Sequence, residues 1–298
     1  RIRRRARAMR RDGLKYQAHN IPEASVPAEV EHLLGTFSHL KALPRLIGSE
    51  SRLPLTAGND IKPLFCGDQA YPEMLSAIEN AKHSVTLMTY IFDNDSCGQK
   101  FAQALIDAVK RDVEVKVMID AAGLIYSFPS IFRTLHSGGV RVEKFLPARL
   151  FPPRLMSINL RNHRKILVVD GTIGFTGGMN IRSGCVLEEN PKHPTRDTHF
   201  RFCGPVVGHL QRTFADDWLF MTGERLASEI YFPAELRTHG TILARGISDG
   251  PDEDLDHLRW AIMGAASVAQ TSIRIVTPYF LPDKSLMEAL IVARKRGV

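Results

Sequence analysis

The chain repeats itself, and that limits its architecture more than any other feature. Ala77-Ile-Glu-Asn-Ala81 followed by Ser84-Val-Thr-Leu-Met-Thr89 returns as Ala261-Ile-Met-Gly-Ala265 followed by Ser272-Ile-Arg-Ile-Val-Thr277. Ala104-Leu-Ile-Asp-Ala108 with Lys110-Arg-Asp-Val113 returns as Ala289-Leu-Ile-Val-Ala293 with Lys295-Arg-Gly-Val298. The blocks stay 184 to 188 residues apart, so short insertions explain the drift. Two copies of one supersecondary unit follow, the second cut short at Val298.

The first copy reads as strand–helix–strand. Pro72 can open a helix with Met74, Leu75, Ile78 and Ala81 on one face. A strand is expected over 84–92, then a helix over 99–111 with Phe101, Leu105, Ala108 and Val109 inward. Val113, Val115, Val117 and Ile119 alternate with Glu114, Lys116 and Met118, which is a strand pattern. A helix between strands allows parallel pairing, so the class is α/β with a largely parallel sheet. A helix near 131–136, a Gly138-Gly139 stop and a strand over 140–145 come next. Further strands are expected near 164–169, 172–176 and 198–202. Pro205 starts a helix carrying Leu210, Phe214 and Trp218. The expected divisions are a basic lead-in at 1–51, a first repeat at 52–220, a linker at 221–251 and the start of a second repeat at 252–298.

Composition excludes several classes. Apolar residues at 44% and charged residues at 24% are ordinary for a globular chain and exclude wholesale disorder. No run approaches 18 apolar residues, so a membrane-spanning helix is not expected within this sequence. Cys66, Cys97, Cys185 and Cys203 form no CxxC pair, which favours reduced cytosolic thiols over a disulfide or zinc framework. The net charge of +7 is local. Arg1, Arg3, Arg4, Arg5, Arg7, Arg10, Arg11 and Lys15 face Asp12 alone, which accounts for all of it. A nucleic-acid binder usually spreads positive charge over a folded face, so no nucleic acid is expected. A basic terminal cluster suits anionic headgroups beside a membrane, or is a solvated tail. Because Arg1 is not a start methionine and the last helix leads to no strand, the chain reads as a fragment.

The chemistry concentrates in Asn162-His163-Arg164-Lys165-Ile-Leu-Val-Val-Asp170-Gly171-Thr-Ile-Gly-Phe-Thr176-Gly177-Gly178-Met-Asn180. Residues two apart on a strand share a face, so His163 and Lys165 point the same way. An imidazole beside an ammonium suits a phosphate ester, one as nucleophile or acid/base, the other as a clamp on nonbridging oxygens. Gly177-Gly178 lets backbone N–H groups approach an anion, and Asn180 adds an amide donor. Asp170 has the opposite parity and precedes Gly171, so it is expected to brace the turn. His-x-Lys also occurs at His39-Leu-Lys41, but Leu46 stands seven residues after that histidine and no Gly-Gly follows. His193, His199 and His209 have no metal-ligand spacing, and no metal or cofactor is expected. Tyr90-Ile-Phe and Pro278-Tyr-Phe close equivalent strands, either as packing residues or as site lining. Residues 145–156 mix apolar and cationic side chains, as an interfacial segment or a surface loop would.

His163-x-Lys165-x4-Asp170 followed by Gly-Gly-Met-Asn resembles the phospholipase D superfamily motif. Pro54–Asn59, Tyr90–Asp95, Asn159–Lys165, Arg196-Asp-Thr-His199 and Gly204-Pro-Val-Val207 through Asp217-Trp218 narrow this to bacterial cardiolipin synthases of that type, from about Arg52 onward. The resemblance implies a phospholipase D-like α-β-α sandwich of two tandem repeats, with the phosphodiesterase motif at about 158–185. It implies a phosphatidyltransferase that joins two phosphatidylglycerols through a phosphohistidine, at the bacterial inner membrane with the catalytic part cytoplasmic. By motif match His163, Lys165 and Asp170 form the catalytic set. Lys165, Asn180, Gly177 and Gly178 hold the phosphate, and Asp197 fixes the His163 tautomer, the alternative being an ordinary turn-to-strand acid. A second His-x-Lys-x4-Asp is absent, so half an active site is present. Its partner is expected in the second repeat, in cis, about 50 residues past Val298. A lipid hydrolase, a phospholipase D-like nuclease and a degenerate scaffold are the rival readings.

Overall fold

The computed structural model describes residues 38–40, 42–51, 53–126, 129–145, 162–234, 237–248, 257–277 and 280–298. The basic cluster at 1–15, most of the 145–156 segment and Tyr279 lie outside the described residues. The chain divides into two compact units. Gly58–Ile242 form the first. The described residues of Glu23–Ala57 and Leu243–Val298 form the second.

The first unit holds most of a sheet whose strands are β1 (Thr56–Phe65), β2 (Ser84–Thr89), β3 (Glu114–Asp120), β4 (Arg141–Phe145), β5 (Ile166–Val169), β6 (Ile173–Gly177), β7 (Thr198–Cys203) and β8 (Ile242–Ala244). Their order is β4-β3-β2-β5-β6-β7-β1-β8. The sheet is mixed, but it is not largely parallel. β2 pairs with β3 and β3 with β4 in parallel. The pairs β2–β5, β5–β6, β6–β7 and β7–β1 are antiparallel. The reason is local: β5 and β6 are joined by a tight turn with Asp170 and Gly171 at φ 51° and 62°, and so short a connection reverses the chain.

Helices cover both faces, as an α-β-α sandwich requires. On one face lie α2 (Cys66–Glu79), α3 (Ser96–Lys110) and α4 (Ile131–Ser137). Their Met74, Ile78, Phe101, Leu105 and Leu135 pack with Val85, Leu87, Val117, Ile119 and Phe175 of the sheet. On the other face α5 (Val207–Thr222) sets Phe214 and Trp218 with Met88, Met118, Ile166 and Val168. A sheet covered twice has no solvent face, so Lys116 is not the exposed member of an alternating strand. It is 1% exposed, paired with Glu114 and Glu224, with its Nζ 5.7 Å from the Trp218 ring centre.

Two elements depart from the sequence reading. Pro72 does not open α2 but sits inside it. Earlier contacts anchor the first turn: the Cys66 N–H donates to the Asp197 carbonyl at 2.9 Å, and the Phe65 N–H to Gln69 Oε1 at 2.9 Å. β1 was not legible as a strand, since Gly58 and Pro63 interrupt its propensity. Pro63 pairs with Phe200 on one side, while the three-residue β8 is too short to run the length of β1 on the other.

In the second unit α1 (Ala42–Ser51) packs on α6 (His257–Val268), and α6 on α7 (Lys284–Lys295). Gly264 permits the first approach, because a Cβ there would lie 2.4 Å from a Leu46 methyl. Residues 272–277 match β2 in sequence but form no strand, and Val276 is fully exposed. A strand needs hydrogen-bonded neighbours, and none stands beside this segment among the described residues. No helix among the described residues is long and apolar enough to cross a membrane.

Candidate active site

Residues 162–165 run extended into β5, beside the end of β3. Their alternation sorts the side chains. Asn162 and Arg164 turn to Asp217 of α5: the Asn162 amide donates to Asp217 Oδ2 at 2.8 Å, and Arg164 pairs with the same oxygen. The Asn162 N–H donates to Asp120 Oδ2 at 2.9 Å, fixing the backbone from the other side. His163 and Lys165 take the opposite direction, as their parity predicts. The Lys165 ammonium donates to His163 Nδ1 at 2.9 Å and to the His163 carbonyl at 2.7 Å. The Thr176 hydroxyl holds the Lys165 carbonyl at 2.8 Å. Tyr90, just past β2, lies with its ring 4.8 Å from the His163 ring and 5.7 Å from the ammonium. Of the two readings for Tyr90, lining of the site is the one its position supports.

Burial lowers the pKa of Lys165 to about 8, and the Asp197 carboxylate opposes the shift. Partial burial, then the Lys165 charge, push His163 below the usual histidine value, so it is neutral at pH 7. The pair is therefore a neutral imidazole against a desolvated ammonium, which can offer a nitrogen lone pair and a positive clamp at one point.

The other expected site residues are placed as follows. Asp170 lies across the turn and accepts the N–H groups of Lys82, His83 and Ser84 at 2.9, 2.7 and 2.8 Å, which is the bracing its parity suggests. Asp197 makes no hydrogen bond to His163, because Lys165 faces Nδ1. One oxygen of Asp197 accepts the Thr198 N–H at 2.7 Å, and Lys165 feels its charge. Asn180 spends its carbonyl oxygen on the Ile91 N–H at 3.0 Å, while its backbone carbonyl takes the Tyr71 hydroxyl at 2.6 Å. Gly178 is no open amide donor, since its N–H points to the Thr198 carbonyl at 3.3 Å. Both glycines instead make room. A Cβ at Gly178 would sit 2.4 Å from Asp197 Oδ1, and one at Gly177 would sit 2.8 Å from His199 Nδ1. No group of three or more His, Cys, Asp or Glu able to hold a metal occurs among the described residues. The four thiols are free.

Sequence reasoning missed the Asp120–Asn162–Asp217–Arg164 frame and the position of His199. Asn162 and Asp217 stood in stretches already singled out, but their partnership spans 55 residues and becomes visible only when α5 is docked.

Residues 74–218 match the family described as "Cardiolipin synthase, PLD-like domain". A cardiolipin synthase of Geobacillus sp. (strain WCH70) is 34% identical over 261 residues, 87% of this chain and 52% of that protein. Cardiolipin synthase A of Pseudomonas putida (strain GB-1) is 33% identical over 263 residues, 88% of this chain and 53% of that protein. The chain thus spans about half the length of these curated relatives. Among solved structures, phosphatidylserine synthase of Haemophilus influenzae Rd KW20 superposes with a TM-score of 0.59 at 15% identity, covering 86% of this chain and 64% of that one. That last likeness is one of fold.

Proposed function

We propose, from the premise that the chain belongs to the phospholipase D superfamily and carries its cardiolipin-synthase-type domain, that it works in a phosphatidyltransferase which joins two phosphatidylglycerols into cardiolipin and releases glycerol. The observation that carries this reading is the buried Lys165 ammonium 2.9 Å from the His163 imidazole. While that ammonium donates to Nδ1, the ring proton belongs on Nε2. An arriving phosphodiester competes for the ammonium. Once Lys165 turns to the nonbridging oxygens, Nδ1 can hold the proton and Nε2 can attack phosphorus. The P–N bond forms as the P–O bond to glycerol breaks, and the departing oxygen takes a proton from a second acid. That acid then accepts the proton of the incoming hydroxyl, whose oxygen displaces the histidine. One histidine cannot be nucleophile and acid at once, so the second group comes from outside the His163 site. The second repeat in cis is the proposed source.

The anionic substrate sits at a bilayer surface, and the basic cluster at 1–15 suits anionic headgroups there. A bacterial inner-membrane location, with the catalytic part on the cytoplasmic side, follows from this reading. The test is incubation of the complete protein with labelled phosphatidylglycerol in vesicles. Cardiolipin plus glycerol is the expected product pair. Phosphatidic acid would make it a hydrolase, and no product would leave the scaffold reading.

A further inference from the structure

One side chain beside the clamp has no assigned role. His199 on β7 is 1% exposed, and its Nδ1 is enclosed without a hydrogen-bond partner. Leaving a buried polar atom unpaired costs roughly 1–3 kcal/mol, so a histidine kept purely for packing is a poor choice there.

Sheet register explains what it is near. Ile166 pairs with Thr176, and Gly177 pairs with His199. Continuing the first register by one step sets Lys165 opposite Gly177. Lys165, Gly177 and His199 thus occupy one rung across three strands, and residues on one rung share a sheet face. The outer two backbones are about 10 Å apart at ordinary strand spacing. Gly177, between them, has no side chain to keep them apart. His199 leans into that gap, because a Cβ on Gly177 would lie 2.8 Å from its Nδ1. Lys165 lies close enough on the far side for its charge to act on the His199 ring. Consistent with this, burial and then the Lys165 charge lower the His199 pKa to about 4, so the ring is neutral at working pH.

We propose that His199 is a positioning residue for Lys165: lying over Gly177, its uncharged ring walls the lysine side chain from water and keeps the ammonium aimed at His163. The groups facing Lys165 are then His163 from its own segment, the Tyr90 ring from the end of β2, and Asp197 with His199 from the β7 side. Asp197 is the one carboxylate among them. A charged residue at 199 would alter the clamp, as would a smaller one that admits water, whereas a neutral one of similar size preserves it. What the ammonium serves rests on the proposed phosphatidyl transfer, but the placement does not.

The test reads the lysine directly. In the whole chain with lysine side chains isotopically labelled, the Lys165 resonance is followed by NMR against pH. It should titrate near pH 8. His199→Gln fills the same space without charge and should leave this midpoint within about half a unit. His199→Ala opens the rung to water and should raise it by more than one unit, toward the ordinary lysine value of about 10.4. Should the alanine variant not fold, His199→Asn, shorter than Gln, should give an intermediate rise. A midpoint that does not move in the alanine or asparagine variant overturns the proposal. So does a glutamine variant that shifts as far as the shorter ones. A protein that shows the expected pattern but makes no cardiolipin refutes the functional reading and leaves this one intact.

Discussion

Replacing Asp170 separates bracing from catalysis in this motif. Its two oxygens accept three backbone N–H groups, with Oδ2 on Lys82 and Oδ1 on both His83 and Ser84. Hydrogen bonds to a charged group contribute about 1.5–3 kcal/mol when sheltered, but two of these three are exposed, so about 1 kcal/mol each is the reasonable figure. Asp170 also holds φ at 51°, a region aspartate tolerates better than alanine. Asp170→Ala should therefore cost about 3–4 kcal/mol, which lowers the melting temperature by roughly 10 °C in a domain of this size. Asp170→Asn keeps the oxygen that serves His83 and Ser84 and turns an NH2 toward Lys82. It should cost only about 1–2 kcal/mol. Thermal unfolding of the two variants and the parent, followed by circular dichroism, measures both numbers. The transfer proposed for the complete protein, assayed well below each melting point, should fall far less than in His163→Ala. An alanine variant that melts with the parent yet has lost all transfer would refute the bracing account and put Asp170 on the substrate.

Four further outcomes follow from the site. His163→Ala should abolish the transfer proposed for the complete protein while leaving the melting temperature within about 1 °C, because much of the residue is exposed; substantial residual turnover would remove it as nucleophile. Lys165 titrates near pH 8 when folded and near 10.4 when unfolded, so the clamp loses its charge, and activity falls, as pH rises through 8. Over the same interval the unfolded chain holds more protons, so the Lys165 contribution to stability rises; activity and stability moving together there would contradict the assignment. Gly178→Ala should push the Asp197 carboxylate away from Lys165 and move the alkaline limb of the pH–activity profile to lower pH, which a profile of unchanged shape would disprove. Asn162→Ala should reduce kcat roughly tenfold or more with KM little changed, since it removes the amide's bond to Asp217 and the acceptor of the Arg164 N–H on either side of His163, while the main-chain bond to Asp120 survives; an equal loss with methionine-sized replacements at surface positions nearby would argue for a general effect instead.

Much of this site could be read in advance because its parts are close in sequence. The parity of 162–165 placed His163 with Lys165 and against Asn162 and Arg164, and the structure realises that division although the four residues precede β5 rather than lie in it. β3 was legible as a strand because Val113, Val115, Val117 and Ile119 alternate along it, and β2 because it precedes that strand by one helix. β1 was not, since its Gly58 and Pro63 are tolerated only by where it falls in the sheet order. Sequence gave parallel pairing too much weight for a similar reason. The helix between β2 and β3 announces one parallel pair, whereas the antiparallel pairs depend on the hairpin at Asp170-Gly171 and on β7 returning across a loop.

What sequence could not reach is the division of labour between neighbouring groups of opposite charge. Asp197 was expected to hold the His163 ring, an inference that matches one acid to one base. In the folded chain the ammonium of Lys165 reaches Nδ1 first, and the acid balances the ammonium instead. The glycines change meaning for the same reason. A Gly-Gly pair can cradle an anion with its N–H groups or leave space for side chains, and both demand the same letters. The rung Lys165–Gly177–His199 decides between them, because spacing across three strands is a property of register and is carried by no single segment. A substitution at Gly177 is thus expected to act on the lysine of the neighbouring strand by displacing the histidine that lies over the glycine.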